Sequence, residues 1–178
     1  MRKVKIITAD EAAKLVKNGD TITTSGFVAS AIPEALNKAV EKRFLETGEP
    51  NNLTYVYCGS QGNKDGRGAE HYAHEGMLKR YIAGHWATVP ALVKMALENK
   101  MEAYNVSQGA LCHLFRDIAA HKPGTFTKVG LGTFIDPRNG GGKVNDITKE
   151  DIIELVNIKG QDYLFYPAFP IHVAMIRG

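Results

Sequence analysis

The sequence predicts an α/β fold: an open, mostly parallel sheet covered by helices, as one domain spanning residues 1–178. Short apolar strands alternate along the chain with stretches of helical periodicity, and glycines mark the turns between them. The run Leu53-Thr54-Tyr55-Val56-Tyr57-Cys58 is apolar or aromatic almost throughout, which suits a strand buried on both faces of a parallel sheet.

The first helix opens at Thr8-Ala9-Asp10-Glu11, where Thr8 caps and Glu11, three residues on, completes a capping box. Ala12, Ala13, Leu15 and Val16 give it an apolar face, and Asn18-Gly19 stops it. Residues 20–24 form a short β-branched strand broken by Ser25-Gly26. A second helix follows from Ile32, with Pro33 in its first turn and Leu36, Ala39, Val40 and Phe44 on its packed face, and ends at Gly48-Glu49-Pro50. After the strand at 53–58 comes a loop with Gly62, Gly66 and Gly68. The spacing then predicts a helix near 69–77, a strand at 79–83, a helix at 89–99, a strand at 102–106 and a helix at 109–121. Residues 122–143 carry six glycines and few helix formers, and read as a long ordered loop of the functional kind. Residues 162–166 and 171–176 read as strands, and the chain stops directly after the second, which suggests a fragment.

Apolar residues make up 44% of the chain and charged residues 23%, enough for a buried core and too ordered a composition for disorder. The net charge of +3 comes from scattered basic residues, which argues against nucleic-acid binding. Neither an N-terminal apolar stretch of signal-peptide length nor a run of about 20 apolar residues occurs, so a soluble, cytoplasmic protein without membrane contact is expected. Cys58 and Cys112 lie far apart in sequence and read as buried free thiols rather than a disulfide.

Two junctions invite chemistry. Ser25-Gly26-Phe27, followed by Ala31-Ile32-Pro33, joins a strand to a helix start and can present backbone N–H groups to an anion; a glycine serving a tight turn explains it as well. Asn105-Val106-Ser107-Gln108-Gly109 puts Gln108 at the carboxyl end of a strand, where open α/β sheets place ligands and where an amide can both donate and accept. A helix-cap or turn role is the alternative there. The dinucleotide and P-loop glycine motifs are absent, as are H-E-x-x-H and a nucleophile elbow. His71 and His74 read as ordinary, partly exposed helix positions rather than metal ligands.

Five blocks, in order, carry a resemblance: 53–62; Gly84-His85-Trp86; 103–109; Gly132-Thr133-Phe134-Ile135-Asp136-Pro137-Arg138; and 143–151. Together they resemble the single-chain family I CoA transferases for short-chain acids, the propionate CoA-transferase type above all. The resemblance runs over essentially the whole chain. It implies a Rossmann-like three-layer domain and an enzyme that moves CoA between an acyl-CoA and a free carboxylate such as propionate, acetate or lactate. Coenzyme A is then a substrate, and neither a metal nor an organic cofactor is needed. The family's first motif is usually Gly-Gly-Phe followed by Gly-x-Pro; this chain departs from it with Ser25 and Ala31. Gln108-Gly109 matches the position where related transferases hold a glutamine near the substrate carboxylate.

The resemblance also implies a catalytic glutamate in a Glu-x-Gly element of the second half, after a strand. Glu46-Thr47-Gly48 copies those letters but reads as a helix C-terminus, so no catalytic residue is assigned. The substrate-binding candidates are Ser25, Gly26, Phe27, Gln108 and Gly109. The expected partners are the missing carboxy-terminal half and a second copy in a homo-oligomer, with this chain alone inactive. A non-catalytic subunit of a two-chain transferase is the alternative, and a sugar-phosphate isomerase of similar fold a weaker one.

Overall fold

The computed structural model describes residues 4–178, so the first three residues of the stretch read for a signal peptide fall outside it. Helix α1 (Ala9–Ala13) begins with the expected capping box: Glu11 N–H donates to Thr8 Oγ1 at 3.2 Å, and Thr8 N–H donates to the Glu11 carboxylate at 2.8 Å. It is shorter than its apolar pattern suggests. Strand β1 (Thr21–Thr24) follows, then α2 (Glu34–Thr47), β2 (Leu53–Tyr57), β3 (Leu78–Ala83), α3 (Pro90–Leu97), β4 (Glu102–Asn105) and α4 (Gln108–Ala119). Gly48 closes α2 in the left-handed conformation, so Glu46-Thr47-Gly48 is the helix end expected of it.

Strands β1 to β4 and β8 (Val173–Met175) form one all-parallel sheet in the order β4-β3-β2-β1-β8. Successive side chains leave a strand on opposite faces, and two cores result. Tyr55 and Tyr81 point to one face, where they pack with Tyr72, Leu92 and Met77; Val56, Ile82 and Tyr104 point to the other, against Leu111 and Leu114 of α4. The first core is built on edge-to-face rings, with Tyr55 to Tyr72 centroids 4.9 Å apart and Tyr81 to Trp86 4.8 Å apart.

Between residues 68 and 167 the structure departs from three expectations. The segment expected to be a helix over 69–77 is only a 3-10 turn, Gly68–Tyr72. In it His71 is buried, not partly exposed, because its two ring nitrogens sit 2.8 Å from Glu34 and 2.6 Å from Glu41 of α2. The region 122–143 is not all loop: β5 (Gly124–Thr127) pairs antiparallel with β7 (Gln161–Pro167), and β7 with β6 (Glu154–Ile158). This small second sheet covers the α4 side of the main sheet. Its β6–β7 turn holds both Lys159 and Gly160 at positive φ, the geometry of a two-residue hairpin.

The remainder of the glycine-rich segment is ordered by one side chain. The buried Asp136 carboxylate accepts from Gly132 N–H at 2.9 Å and Arg138 N–H at 3.0 Å, and from the Arg138 guanidinium at 2.9 and 2.7 Å. Beyond it, residues 142–148 lie along the exposed edge of β4. Asn105 N–H donates to Gly142 O at 2.8 Å, Val144 N–H to Ala103 O at 2.9 Å, and Ala103 N–H to Thr148 Oγ1 at 2.8 Å. The block at 143–151 thus protects a sheet edge. Among the described residues no helix is long and apolar enough to cross a membrane.

Candidate functional site

Because all strands of the main sheet run the same way, the residues following β1, β2, β3 and β4 emerge at one edge: Ser25, Cys58, Gly84 and Val106. There α4 starts. Ser107 is its N-cap, its hydroxyl accepting from Ala110 N–H at 3.3 Å. Gln108 is the first helical residue rather than a residue before the helix, so the N–H groups of Gln108 and Gly109 have no acceptor within the helix. Both residues are exposed.

Bare backbone brings the candidates together. A Cβ placed on Gly59 would lie 3.2 Å from the Phe27 ring and 3.3 Å from the Gln108 carboxamide, so these two side chains meet over a glycine floor. A Cβ on Gly84 would sit 2.3 Å from Cys58 O and 2.8 Å from Gln108 Cα, which leaves room for no other residue there. Gly59 and Gly84 fall within the blocks 53–62 and 84–86 that carry the resemblance, and neither is among the site residues expected from the sequence. Their signal was a glycine just past each buried strand, where the backbone must approach a neighbour closely.

The loop carrying Phe27 is held from below. Gln61, fully buried, donates from Nε2 to Ser25 O and accepts from Tyr55 Oη at 3.0 Å; the Thr24 hydroxyl lies 2.6 Å from the same phenol. Tyr57 donates to Gly26 O. Burial, then the neighbouring Cys58 and Cys112, pushes its phenol up to about 12, so it stays protonated and keeps donating. Ser25 fastens the loop through its side chain. Its hydroxyl donates to Ala31 O at 3.1 Å and accepts from Arg177 N–H at 2.9 Å, tying the loop's two ends to the segment after β8. Ala31 sits at φ 53° and the β-branched Val28 at φ 54°, both in the left-handed region that favours glycine.

Ser25, Gly26, Phe27 and Gln108 therefore cluster at one mouth. Gly109 borders it without steric necessity, since a Cβ there would meet nothing within 4 Å. A cleft of about 580 Å³ runs from Ser107 and Gly109 along α4, past His113 and Arg116, to Phe126 of β5. A smaller, mainly apolar cavity of about 240 Å³ lies on the α4 face of the main sheet; it runs from Thr21, Thr54 and Arg80 at the strand starts to Val106 and Leu111, and none of Ser25, Gly26, Phe27 or Gln108 lines it.

The cysteines also depart from expectation. Cys112 is exposed, and Cys58 is half-buried rather than fully buried. No cluster of three or more metal-ligating side chains occurs among the described residues.

The coenzyme A transferase family model matches residues 6–178. The chain is 41% identical over 174 residues to caffeate CoA-transferase of Acetobacterium woodii, covering 98% of this chain and 33% of that protein. It is 37% identical over 178 residues to acetate CoA-transferase YdiF of Escherichia coli K12, covering 99% and 33% respectively. The crystal structure of the YdiF acyl-CoA transferase apoenzyme from Escherichia coli O157:H7 superposes with a TM-score of 0.94 at 35% identity, over 98% of this chain and 34% of that one. The chain spans about a third of the length of the curated relatives it matches.

Proposed function

The chain belongs to the coenzyme A transferase family, and from that premise we propose that it builds the acid-binding side of an active site that moves CoA between a short-chain acyl-CoA and a free carboxylate. The observation that carries this reading is the meeting of Gln108 and Phe27 over Gly59, beside the free N–H groups that open α4. A carboxylate lying on Gly59 meets the Gln108 amide as a hydrogen-bond donor and the helix N-terminus as a source of positive potential. Phe27 supplies an apolar wall for a short alkyl chain. Propionate, acetate and lactate all suit such a mouth; they differ by about 1–3 kcal/mol in a pocket of this kind.

The reaction in this reading is covalent catalysis by a glutamate outside the chain. Its carboxylate attacks the thioester carbonyl and expels the CoA thiolate, leaving a mixed anhydride. The thiolate then attacks the glutamyl carbonyl and releases the first acid, and a second acid takes CoA by the reverse sequence. CoA enters as a substrate, and no metal or organic cofactor takes part. The Gln108 amide and the backbone donors at the mouth hold the acid and stabilise the oxyanion of each addition. The nucleophile-bearing half, and a second copy of the assembled protein, are the partners.

Incubation of the chain with propionyl-CoA, with and without borohydride trapping, followed by intact-mass measurement, tests the division of labour. The expected result is no covalent adduct and no CoA exchange with propionate. A CoA-sized adduct on any glutamate, Glu46 included, would overturn it.

A further inference from the structure

The two cysteines, remote in sequence, lie on two elements that meet, the end of β2 and the first turns of α4. Cys58, the residue after β2, packs against the cluster that contains Val56 of β2 and Leu111 and Leu114 of α4. The strand end and the helix start touch around Gly84: a Cβ there would lie 2.3 Å from Cys58 O and 2.8 Å from Gln108 Cα. Cys112 is one helical turn beyond Gln108 and so stacks on the same side of α4. Cys112 is among the groups that raise both the Cys58 thiol and the Tyr57 phenol, as a side chain lying beside the end of β2 does. One of the pair is exposed and the other half-buried.

We propose that Cys58 and Cys112 form a reversible dithiol–disulfide pair that small disulfides oxidise, cross-linking the end of β2 to the first turns of α4. The exposed Cys112 is the entry point. Its thiolate attacks one sulfur of a low-molecular-weight disulfide, the sulfur–sulfur bond breaks, and one small thiol leaves with a proton from solvent. Cys58 then loses its proton and attacks the Cys112 sulfur, expelling the second small thiol. Two protein thiols are oxidised, one small disulfide is reduced to two thiols, and excess thiol reverses both steps. Burial, reinforced by Cys112, pushes the Cys58 thiol up to about 12, so the second step is slow at neutral pH and quickens as pH rises. The cross-link pins the turn that carries Gln108 to the glycine floor, which makes the site's shape dependent on redox state. This inference stands on the contact between β2 and α4 and holds whether or not the site binds a carboxylate.

The test is oxidation of the folded chain by 2-hydroxyethyl disulfide at pH 7 and pH 9, quenched by alkylation and read by intact mass and peptide mapping. The expected course is an adduct on Cys112, converting to a species lighter than the reduced chain by two hydrogens, with the peptides of residues 58 and 112 linked, and faster at pH 9. Cys58→Ser should stop at the adduct, and Cys112→Ser should remain unmodified while folded. A wild-type adduct that persists as it does in Cys58→Ser, or a linkage formed only in denaturant, would overturn the proposal.

Discussion

The Phe27 ring and the Gln108 carboxamide lie within 3.2 and 3.3 Å of the point where a side chain would begin on Gly59. One residue comes from the loop after β1 and the other from the start of α4, so a single glycine sets how closely two separate elements approach.

Gly59 and Gly84 should therefore respond differently to alanine. At Gly59 the intruding methyl meets two side chains able to shift by a few tenths of an ångström; at Gly84 it meets backbone at 2.3 and 2.8 Å. We expect Gly59→Ala to cost about 1 kcal/mol and Gly84→Ala about 3 kcal/mol or more, by overpacking. Urea denaturation of the two variants checks the order. Equal losses would mean that the two glycines do not differ as described.

Gly109→Ala separates stability from binding. Nothing lies within 4 Å of the new methyl, and alanine favours helix, so the variant should gain up to about 1 kcal/mol. In the proposed site the same methyl narrows the approach to the α4 N-terminus, and carboxylate affinity should fall. A variant that is more stable and binds unchanged would remove Gly109 from the site.

Ala31 occupies a backbone conformation that costs a residue with a Cβ about 1–2 kcal/mol, part of which glycine's extra freedom in the unfolded chain offsets. Ala31→Gly should raise stability by about 0.5–1 kcal/mol in thermal or urea unfolding. A loss of stability would contradict the left-handed assignment.

Much of the main sheet was legible in the sequence because its cues are local. Thr8 and Glu11 state a capping box, and the apolar run from Leu53 states a strand buried on both faces. The second sheet was not legible. Strand β6 is largely exposed and offers neither an apolar run nor a clean alternation, and Lys159-Gly160 lacks the Asn-Gly or Asp-Gly signature of a hairpin turn. Gly-Thr-Phe-Thr of β5 is short and sits among glycines that suggest loop. At the site, Gln108 and Phe27 were marked by their junctions and by family resemblance. Their meeting over Gly59 depends on strand register and on where α4 begins, which no local spacing encodes. The approach of Cys58 to Cys112 escaped for the same reason.

Asp136 predicts an acid limit for the glycine-rich segment. The Arg138 guanidinium, with the N–H groups of Gly132 and Arg138, holds its carboxyl well below the usual carboxylate range. A depressed folded-state value means the stabilisation is fully present above about pH 4, the unfolded range, and is lost as pH falls through the folded value. Amide protection factors in residues 130–142, taken relative to intrinsic exchange at each pH, should fall on acidification below pH 4, and Asp136→Asn should show the lower protection and faster exchange already at pH 7. Exchange in the variant unchanged at pH 7 would contradict this role.

The most direct test of the account is a titration of the labelled chain with propionate, following backbone amide resonances by NMR against chloride at equal ionic strength. Binding at the proposed mouth predicts saturable shifts centred on Gly59, Gln108 and Gly109 that chloride does not reproduce and that Gln108→Ala weakens. Shifts confined to another surface, or none distinguishable from chloride, would contradict the assignment of the carboxylate to Gln108.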